Sequence, residues 1–425
     1  MTAASQELVT SSLRGVDEHL AVRVMYLSPS GQLGGAEASL LDMMASLREA
    51  RPSWPLHLLV AGEGPLAERA ASLGVSALTL PFPAAIARLG ESGAMSAGRR
   101  SGFVGQLAVA APPIAAYVGR LRRHIHAIDP DVVHSNGLKM HVLAAHARLR
   151  PKLVWHLHDY LGRRAMSARL LQWSRSRCAA IIANSASVAD DVRSTLKDVR
   201  VTAVPNAVDL NRFSPYGDRI DLDALAGLPP ADRQTVRIGL LGTFARWEGH
   251  VVFLRAFSRI PPGVPVRAYV IGDAVYETEG SQYTRDELRQ LVETLGIADR
   301  VGFTGFVTQP ERALRALDVV VHASTEPEPF GLVIVEAMAT GRPVVVSLTG
   351  GAAEIVTAGQ DALGHSPGDI HVLTARLTAL TNDPALRARI GQAGRKTAEG
   401  RFDRARLADQ LAPIYQSVVA GTAIH

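Results

Sequence analysis

The chain has little cysteine and no long apolar run, and both shortages limit the classes of protein to which it can belong. A single cysteine, Cys178, stands among 425 residues, so no disulfide framework can form within the chain and a reducing compartment is expected. The first 20 residues are polar and lack the apolar core of a secretory signal peptide. The stretch closest to a membrane span, residues 103–119, is interrupted by Gln106 and two prolines. We therefore expect a cytoplasmic protein.

Signatures of metal and nucleic-acid binding are also missing from the sequence. No Asp-x-Asp pair is suited to Mg²⁺ or Mn²⁺, and no Cys/His cluster has the spacing of a metal site. There is no helix-turn-helix, zinc-finger or aromatic-stacking signature. The sequence predicts a protein that uses no metal or other cofactor and does not bind nucleic acid.

Positive charge is concentrated in one part of the chain. The net charge is +5, but residues 99–177 contain fourteen Lys or Arg residues and three acidic residues. We expect this segment to attach peripherally to the cytoplasmic face of an anionic membrane, with Trp173 adding interfacial contact. A solvated arginine-rich face, or a site for an anionic soluble acceptor, is the alternative.

Short apolar segments alternate with helical stretches in two series. Helices are predicted at 36–50 and 249–260. Strands are predicted at 22–28, 56–61, 131–135, 153–159 and 179–185, and, after a linker at 204–215, at 236–242, 266–272, 301–305, 319–324 and 343–347. Nearly continuous apolar strands of this kind predict parallel sheets covered by helices on both faces.

The predicted fold class is therefore α/β, with two Rossmann-like doubly wound domains facing across a cleft. We expect one domain over 1–205, with residues 1–20 disordered, and a second over 206–400. Residues 401–425 are expected to form a helix that packs toward the first domain. In such sheets ligands bind at the carboxyl ends of the strands, so the site is expected between the domains.

A glycine loop, SPSGQLGGAE at 28–37, follows the first predicted strand and opens the first helix. Gly34 and Gly35 allow a close approach of backbone to a ligand, and the helix start behind them favours an anion. The spacing matches neither the dinucleotide fingerprint nor a Walker A loop. A tight strand-to-helix turn explains the loop equally well.

The segment STEPEPFGLVIVEAMATGRPVV, which begins at Ser324, is more specific. It predicts a helix after Gly331 whose first amides are available to phosphate oxygens. Glu336 lies about one turn into this helix, within reach of a group beside that phosphate, such as ribose hydroxyls. Taken alone, Glu336 is better explained as a cap of a nearby loop or as the partner of an arginine, and only its combination with Glu328 and the glycine loop favours the ribose.

The nine residues from Glu328 to Glu336 resemble the E-x7-E motif of the retaining glycosyltransferases of the GT-B fold, family 4, also called glycosyl transferases group 1. Weaker similarities run along nearly the whole chain, in GGAE (34–37), LHD (157–159), NSASVADDV (184–192), VPNAVD (204–209) and GFTGFV (302–307).

This resemblance implies that a sugar moves from a nucleoside diphosphate sugar to a hydroxyl acceptor with retention of configuration. The acceptor is a saccharide, a lipid-linked glycan or a small metabolite. Retention in this family is explained by same-face attack, so no covalent nucleophile is assigned. The implied catalytic residues are Glu328 and His158, both at the sugar. The implied donor-binding residues are Gly34, Gly35, Thr243, Arg246, Gly272, Gly305, Phe306, Val307, Phe330, Gly331, Leu332, Val333 and Glu336.

Two of these expectations rest on details of the sequence. His156 and His158 are expected to face opposite sides of one strand, so that only His158 faces the site; a core histidine is the alternative.

In the loop after residue 242, Thr243 and Glu248 stand where the family usually has Arg and Lys. Glu248 would repel a diphosphate, and Arg246 would supply the missing charge. This departure keeps open a second hypothesis, a non-catalytic relative that binds a nucleotide or saccharide for a partner enzyme.

Overall fold

The computed structural model describes residues 20–87, 100–274 and 280–421, and it gives only backbone for 85 and 100–110. The predicted disorder of residues 1–20 therefore concerns a segment that, apart from Leu20, lies outside the described residues. The chain divides into two compact units: unit 1 contains 1–206 and 404–425, and unit 2 contains 207–403.

Unit 1 is built on one parallel sheet in the order β3-β2-β1-β4-β5-β6-β7. Its strands are β1 (Val24–Ser28), β2 (Leu56–Val60), β3 (Ser76–Thr79), β4 (Val132–Asn136), β5 (Lys152–Leu157), β6 (Cys178–Ala183) and β7 (Val201–Ala203). The central strands β1 and β4 are buried along their whole length, as expected for a parallel sheet covered on both faces. The chain reverses its direction of sheet growth between β1 and β4.

Helices connect and cover these strands. They are α1 (Gly35–Ala50), α2 (Pro65–Ser72), α3 (Ala84–Ala87), α4 (Arg100–Ile128), α5 (Leu138–His146), α6 (Ala165–Ser174) and α7 (Ala186–Thr195). Side-chain hydrogen bonds help to fix where a helix begins. The Ser185 hydroxyl, for example, accepts a hydrogen bond from Val188 N at 3.1 Å and so caps α7.

Unit 2 repeats the architecture, with the strand order β10-β9-β8-β11-β12-β13. Its strands are β8 (Val236–Leu241), β9 (Val266–Ile271), β10 (Val301–Gly305), β11 (Val319–His322), β12 (Val344–Ser347) and β13 (Leu363–His365). Here the direction of sheet growth reverses between β8 and β11, which are neighbours in the sheet although about 80 residues separate them in sequence. This reversal is the topological switch point at which doubly wound sheets bind ligands.

The helices of unit 2 complete both layers. They are α8 (Leu222–Ala226), α9 (His250–Phe257), α10 (Arg285–Thr294), α11 (Pro310–Ala316), α12 (Leu332–Ala339), α13 (Ala352–Ile355), α14 (Ile370–Asn382) and α15 (Pro384–Arg401). Successive residues of one strand enter opposite cores. Val319 and Val321 of β11 pack into one cluster with α9 and α14, and Val320 packs into the other cluster with α12. Two-sided burial of this kind explains the runs of consecutive valines in the sequence.

The C-terminal helix α16 (Arg406–Ala420) belongs to unit 1 and packs against α1. The Ser46 hydroxyl on α1 accepts from Ala408 N at 2.9 Å and donates to Ala405 O at 3.1 Å. Deeper in the unit, the Tyr415 hydroxyl is hydrogen-bonded to Nδ1 of His134 on β4 at 2.8 Å, and both side chains are buried. Within the helices of the described residues, none combines the length and apolar character needed to cross a bilayer.

The predicted α/β architecture is confirmed. Most predicted strands and helices match within one or two residues, but three short strands, β3, β7 and β13, were not predicted from the sequence. The strand predicted over 153–159 ends at Leu157, so His158 lies in the loop that follows it.

Candidate functional site

The predicted donor-binding residues of unit 2 gather at the carboxyl ends of four neighbouring strands. Gly272 follows β9, and its amide donates to the carbonyl of Gly305, the last residue of β10, at 3.0 Å. Gly272 has a φ of 139°, and a Cβ there would lie 1.9 Å from Gly242 O, so only glycine fits this contact. The side chain of Phe306 is 66% exposed beside this edge, and Val307 is packed against the core.

The residues of the E-x7-E motif follow β11 on the same edge. Gly331 has a φ of 98° and precedes α12, whose first residues are Leu332 and Val333. The amides of a first helical turn have no partner within the helix, so they are available to an anion. Phe330 is buried and fixes this turn by packing edge-on against Phe402, with ring centroids 5.9 Å apart.

Glu328 is held beside the end of β11. The Ser324 hydroxyl donates to its carboxylate at 3.3 Å, and Nε2 of His322 lies 3.8 Å from the same oxygen. The backbone carbonyl of Glu328 accepts from Gly351 N at 2.7 Å. The carboxylate is therefore positioned from both the strand end and the neighbouring loop.

Glu336 lies on α12, where burial raises its pKa to about 7. The Arg212 guanidinium opposes this rise, and the nearby Glu311 carboxylate adds to it. Arg212 is itself paired with Glu311, with Nη2 and Oε2 2.9 Å apart. Because the charge of Arg212 is shared with Glu311, burial remains the dominant influence on Glu336, and its carboxyl titrates close to neutral pH.

Two further predicted residues, Thr243 and Arg246, lie in the loop after β8. Thr243 is half-buried at the strand end. The guanidinium of Arg246 contacts α10 and the segment before it: Nη2 lies 3.2 Å from Glu287 Oε1, and the group stacks over the Tyr283 ring at 4.3 Å. The charge of Arg246 is thus shared with Glu287.

In unit 1, Asn136 connects the two predicted site segments. Its Oδ1 accepts from His158 Nε2 at 2.6 Å, and its Nδ2 donates to Ala36 O at 3.4 Å at the start of α1. The loop residue Gly34 donates its amide to Glu37 at 3.2 Å, and Gly35 is the first residue of α1. His158, Gly34 and Gly35 therefore lie at the same edge of the unit 1 sheet.

The expectation that His156 and His158 face opposite sides is wrong. Residues two apart point to the same side of a strand, and here the two imidazole rings lie 4.0 Å apart. Burial lowers the pKa of His158 to about 4, so its imidazole is neutral at pH 7. Because Asn136 Oδ1 can only accept, Nε2 carries the hydrogen and Nδ1 is left as an acceptor.

The two Asp-x-Asp sequences of the chain are engaged in structural bonds. Asp131 accepts from Arg23 N at 2.8 Å, Asp221 caps α8 through Ala224 N at 3.0 Å, and Asp223 accepts from Tyr269 and two arginines. Over the described ranges, no group of three or more His, Cys, Asp or Glu side chains is placed to hold a metal ion.

Asn136 and His322 were not predicted as site residues from the sequence. Each is the last residue of a central strand, β4 or β11, beside a switch point. A polar residue at the end of a buried strand, as in VVHSN (132–136) and VVVH (319–322), was the available signal. The adjacency of β8 and β11 that gives this signal its meaning appears only in the folded sheet.

Two doubly wound parallel sheets with polar side chains at their carboxyl edges define a GT-B-fold protein. HepE from Anabaena, solved in complex with UDP-glucose, superposes on the chain with a TM-score of 0.73 at 26% identity, covering 93% of this chain and 100% of HepE. The glycosyl transferases group 1 model matches residues 230–397, and the Glycosyltransferase Family 4 model matches residues 33–212. The chain belongs to this glycosyltransferase family.

Curated relatives align over part of their length. The lipopolysaccharide core biosynthesis glycosyltransferase LpsD of Rhizobium meliloti (strain 1021) is 32% identical over 209 residues, covering 49% of this chain and 55% of LpsD. LpsE of the same organism, which carries the same description, is 29% identical over 241 residues, covering 57% of this chain and 64% of LpsE. The chain thus spans less than two thirds of either relative.

Proposed function

We propose that the protein transfers a sugar from a nucleoside diphosphate sugar to a hydroxyl acceptor, with retention of configuration and without a metal. The observation that carries this proposal is the placement of Glu328 and Glu336 on either side of the Gly331 turn, at the carboxyl edge of the unit 2 sheet. The family membership and the UDP-glucose bound to HepE support it. The names of LpsD and LpsE favour a saccharide as acceptor.

In this proposal each carboxylate has a separate task. Glu328 accepts hydrogen bonds from the sugar hydroxyls and fixes the orientation of the reacting carbon. Glu336 accepts from the ribose hydroxyls, which stabilise its ionised form against the burial that raises its pKa. The segment Gly305–Val307 receives the base through its backbone.

The leaving diphosphate needs stabilisation as its negative charge develops. The first amides of α12, on Leu332 and Val333, supply fixed dipoles for it. The bond from the anomeric carbon to the diphosphate breaks as the acceptor oxygen bonds on the same face, and the acceptor proton leaves with the diphosphate. Neutral His158, with Nδ1 as an acceptor, serves in this proposal to orient a sugar hydroxyl.

One assay tests the function and the metal independence together. The protein is mixed with UDP-, GDP-, ADP- or dTDP-sugars in the presence of EDTA. Binding is followed by thermal shift, and release of the nucleoside diphosphate is followed with saccharide acceptors. We expect at least one donor to raise the melting temperature and to be turned over in EDTA, because helix amides rather than a cation hold the diphosphate.

The possible failures of this assay are distinct. If no nucleotide sugar binds, the proposed function is wrong. Donor binding without turnover on any acceptor would favour the alternative hypothesis of a non-catalytic relative. The reason for that hypothesis is that Thr243 and Glu248 replace the basic residues that are usual in the family. Activity that disappears in EDTA and returns specifically with Mn²⁺ or Mg²⁺ would contradict metal independence alone.

We also propose that unit 1 attaches peripherally to an anionic membrane through helix α6. Met166, Leu170 and Trp173 are spaced by four and three residues and are 44%, 39% and 73% exposed, so they form an apolar stripe on one face. Arginines precede, interrupt and follow the stripe; they are Arg163, Arg164, Arg169, Arg175 and Arg177. Apolar side chains between cations match an interface of anionic headgroups over acyl chains.

Vesicle flotation tests this attachment. Because each basic residue near an anionic surface contributes about 1 kcal/mol, we expect binding to phosphatidylglycerol-containing vesicles that weakens with salt. Replacing Met166, Leu170 and Trp173 together by serine should reduce binding at least tenfold. Tyr216→Ser, which changes an 86% exposed side chain in unit 2, is the matched control. A protein that stays unbound at low salt would leave α6 as a solvated face or an acceptor site.

A further inference from the structure

Two carboxylates lie together at the switch point of unit 2, and only one of them belongs to the E-x7-E motif. Glu328 follows β11, and Glu248 ends a 3₁₀ turn (Arg246–Glu248) that follows β8. Since β8 and β11 are paired neighbours at which the sheet reverses its growth, both side chains start from the point where such a sheet binds its ligand.

The backbone fixes this turn against the segment that leads to Glu328. Gly249 has a φ of 80°, and a Cβ there would lie 1.9 Å from Ala323 O. The Trp247 carbonyl accepts from Thr325 N at 2.8 Å. The Glu248 side chain folds back over the strand end, because a Cβ on Gly242 would lie 3.2 Å from its Oε2. The position of Glu248 is therefore set by packing.

The surroundings of the pair contain buried polar groups that lack protein partners. His322 is only 4% exposed, and its Nε2 lies 3.8 Å from the Glu328 carboxylate. Neither ring nitrogen of His322 has a hydrogen-bond partner among the described residues, and the same holds for the fully buried His250. Because buried polar atoms are normally hydrogen-bonded, His322 indicates that a further polar group completes this site.

The charge of the pair restricts that group. Burial, with the Glu328 carboxylate as the second cause, raises the pKa of Glu248 well above its ordinary value. Glu248 therefore keeps its proton to a higher pH than an ordinary carboxyl does; when protonated it can both donate and accept, and when ionised it adds a second negative charge beside Glu328. Arg246, the cation of the same turn, contacts Glu287 and Tyr283.

We propose that Glu248 and Glu328 together select the sugar of the donor, accepting a neutral hexose and rejecting a hexuronic acid. This inference rests on the proposed function. The hydroxyls of a neutral sugar donate to Glu328 and exchange hydrogen bonds with Glu248. A sugar carboxylate can donate nothing to Glu328 and meets like charge at short range in a partly desolvated site.

The test uses UDP, UDP-glucose and UDP-glucuronic acid, since the two sugars differ only by a hydroxymethyl group and a carboxylate. Calorimetry at pH 7 is expected to show at least tenfold tighter binding of UDP-glucose than of UDP-glucuronic acid. Glu248→Lys should reduce this ratio to about one or invert it. Glu293→Lys makes the same charge change on the exposed face of α10 and should leave the ratio unchanged.

A second variant covers the case in which Glu248→Lys does not fold. In the wild type, discrimination against UDP-glucuronic acid should increase from pH 7 to pH 9 as Glu248 ionises. Glu248→Gln cannot ionise and should show no such increase.

The failures are separable. Equal binding of both sugars by the wild type, or a Glu248→Lys ratio equal to that of Glu293→Lys, overturns the inference and leaves the proposed function standing. If UDP and both UDP-sugars fail to bind, this inference is overturned, and the proposed function is overturned with it only if no other nucleotide sugar binds in the donor assay.

Discussion

Replacing Glu328 by glutamine is expected to lower turnover about 100- to 1000-fold while the affinity for free nucleoside diphosphate changes less than threefold. The bare nucleotide carries no sugar, so it does not use the contact that Glu328 makes in the proposed mechanism. The expected size is that of losing one charge-complementary contact to a transition state. Steady-state kinetics with calorimetry on the free nucleotide measures both quantities.

Glu336→Gln is the matched comparison, since it changes the same side chain eight residues away. Here the nucleotide affinity itself should fall about 10-fold or more, because the negative charge that strengthens the hydrogen bonds from the ribose hydroxyls is removed and one acceptor oxygen is replaced by an NH₂ donor. Unchanged affinity and activity in both variants would show that the two carboxylates have other roles.

The largest loss of stability is expected from Asp223→Ala. Asp223 is 5% exposed and accepts from Tyr269 Oη at 2.5 Å, Ala231 N at 3.0 Å, Arg237 Nη2 at 3.2 Å and the Arg267 guanidinium. Burial opposes its ionisation, but these donors outweigh burial and lower its pKa to about 2. Removing the carboxylate leaves a buried hydroxyl and two cations without their shared partner, which costs about 3–5 kcal/mol of unfolding free energy.

Urea denaturation at several pH values measures this loss, with Asp232→Ala as the control for an exposed aspartate in the adjacent loop. Because the folded pKa of Asp223 lies below its ordinary value of 3.8, its stabilisation is complete above that pH and disappears as the pH falls toward about 2. The difference between wild type and Asp223→Ala should therefore shrink on acidification. A difference that equals that of Asp232→Ala at pH 7 would contradict the structural role.

The sequence was sufficient for the fold and the family because both depend on local patterns. Valine runs such as 319–321 and the helix after Gly331 follow from apolar content and glycine placement. Short strands such as β3 (Ser76–Thr79) were not predicted. The residues of β3 are exposed or half-buried and have little apolar character, so only the pairing with β2 defines the strand.

The chemistry of single side chains was less accessible. Glu248 was recognised as unusual, yet its closeness to Glu328 depends on two strands that are about 80 residues apart in sequence. Similarly, the bond between Asn136 and His158 joins the ends of two strands, and only the sheet shows it. Roles that require such pairings cannot be read from spacing, and the site assignments themselves stay predictions.

The bond between Tyr415 and His134 has a consequence for biosynthesis. The last helix completes unit 1, yet the ribosome makes it only after all of 207–403 has been synthesised. At a typical rate of about 5–20 residues per second, His134 waits roughly 15 to 60 seconds for its partner, whereas unit 2 has its whole sequence earlier. The amino-terminal half is therefore without its last helix while the whole of unit 2 is synthesised, and it is exposed to chaperones during that interval.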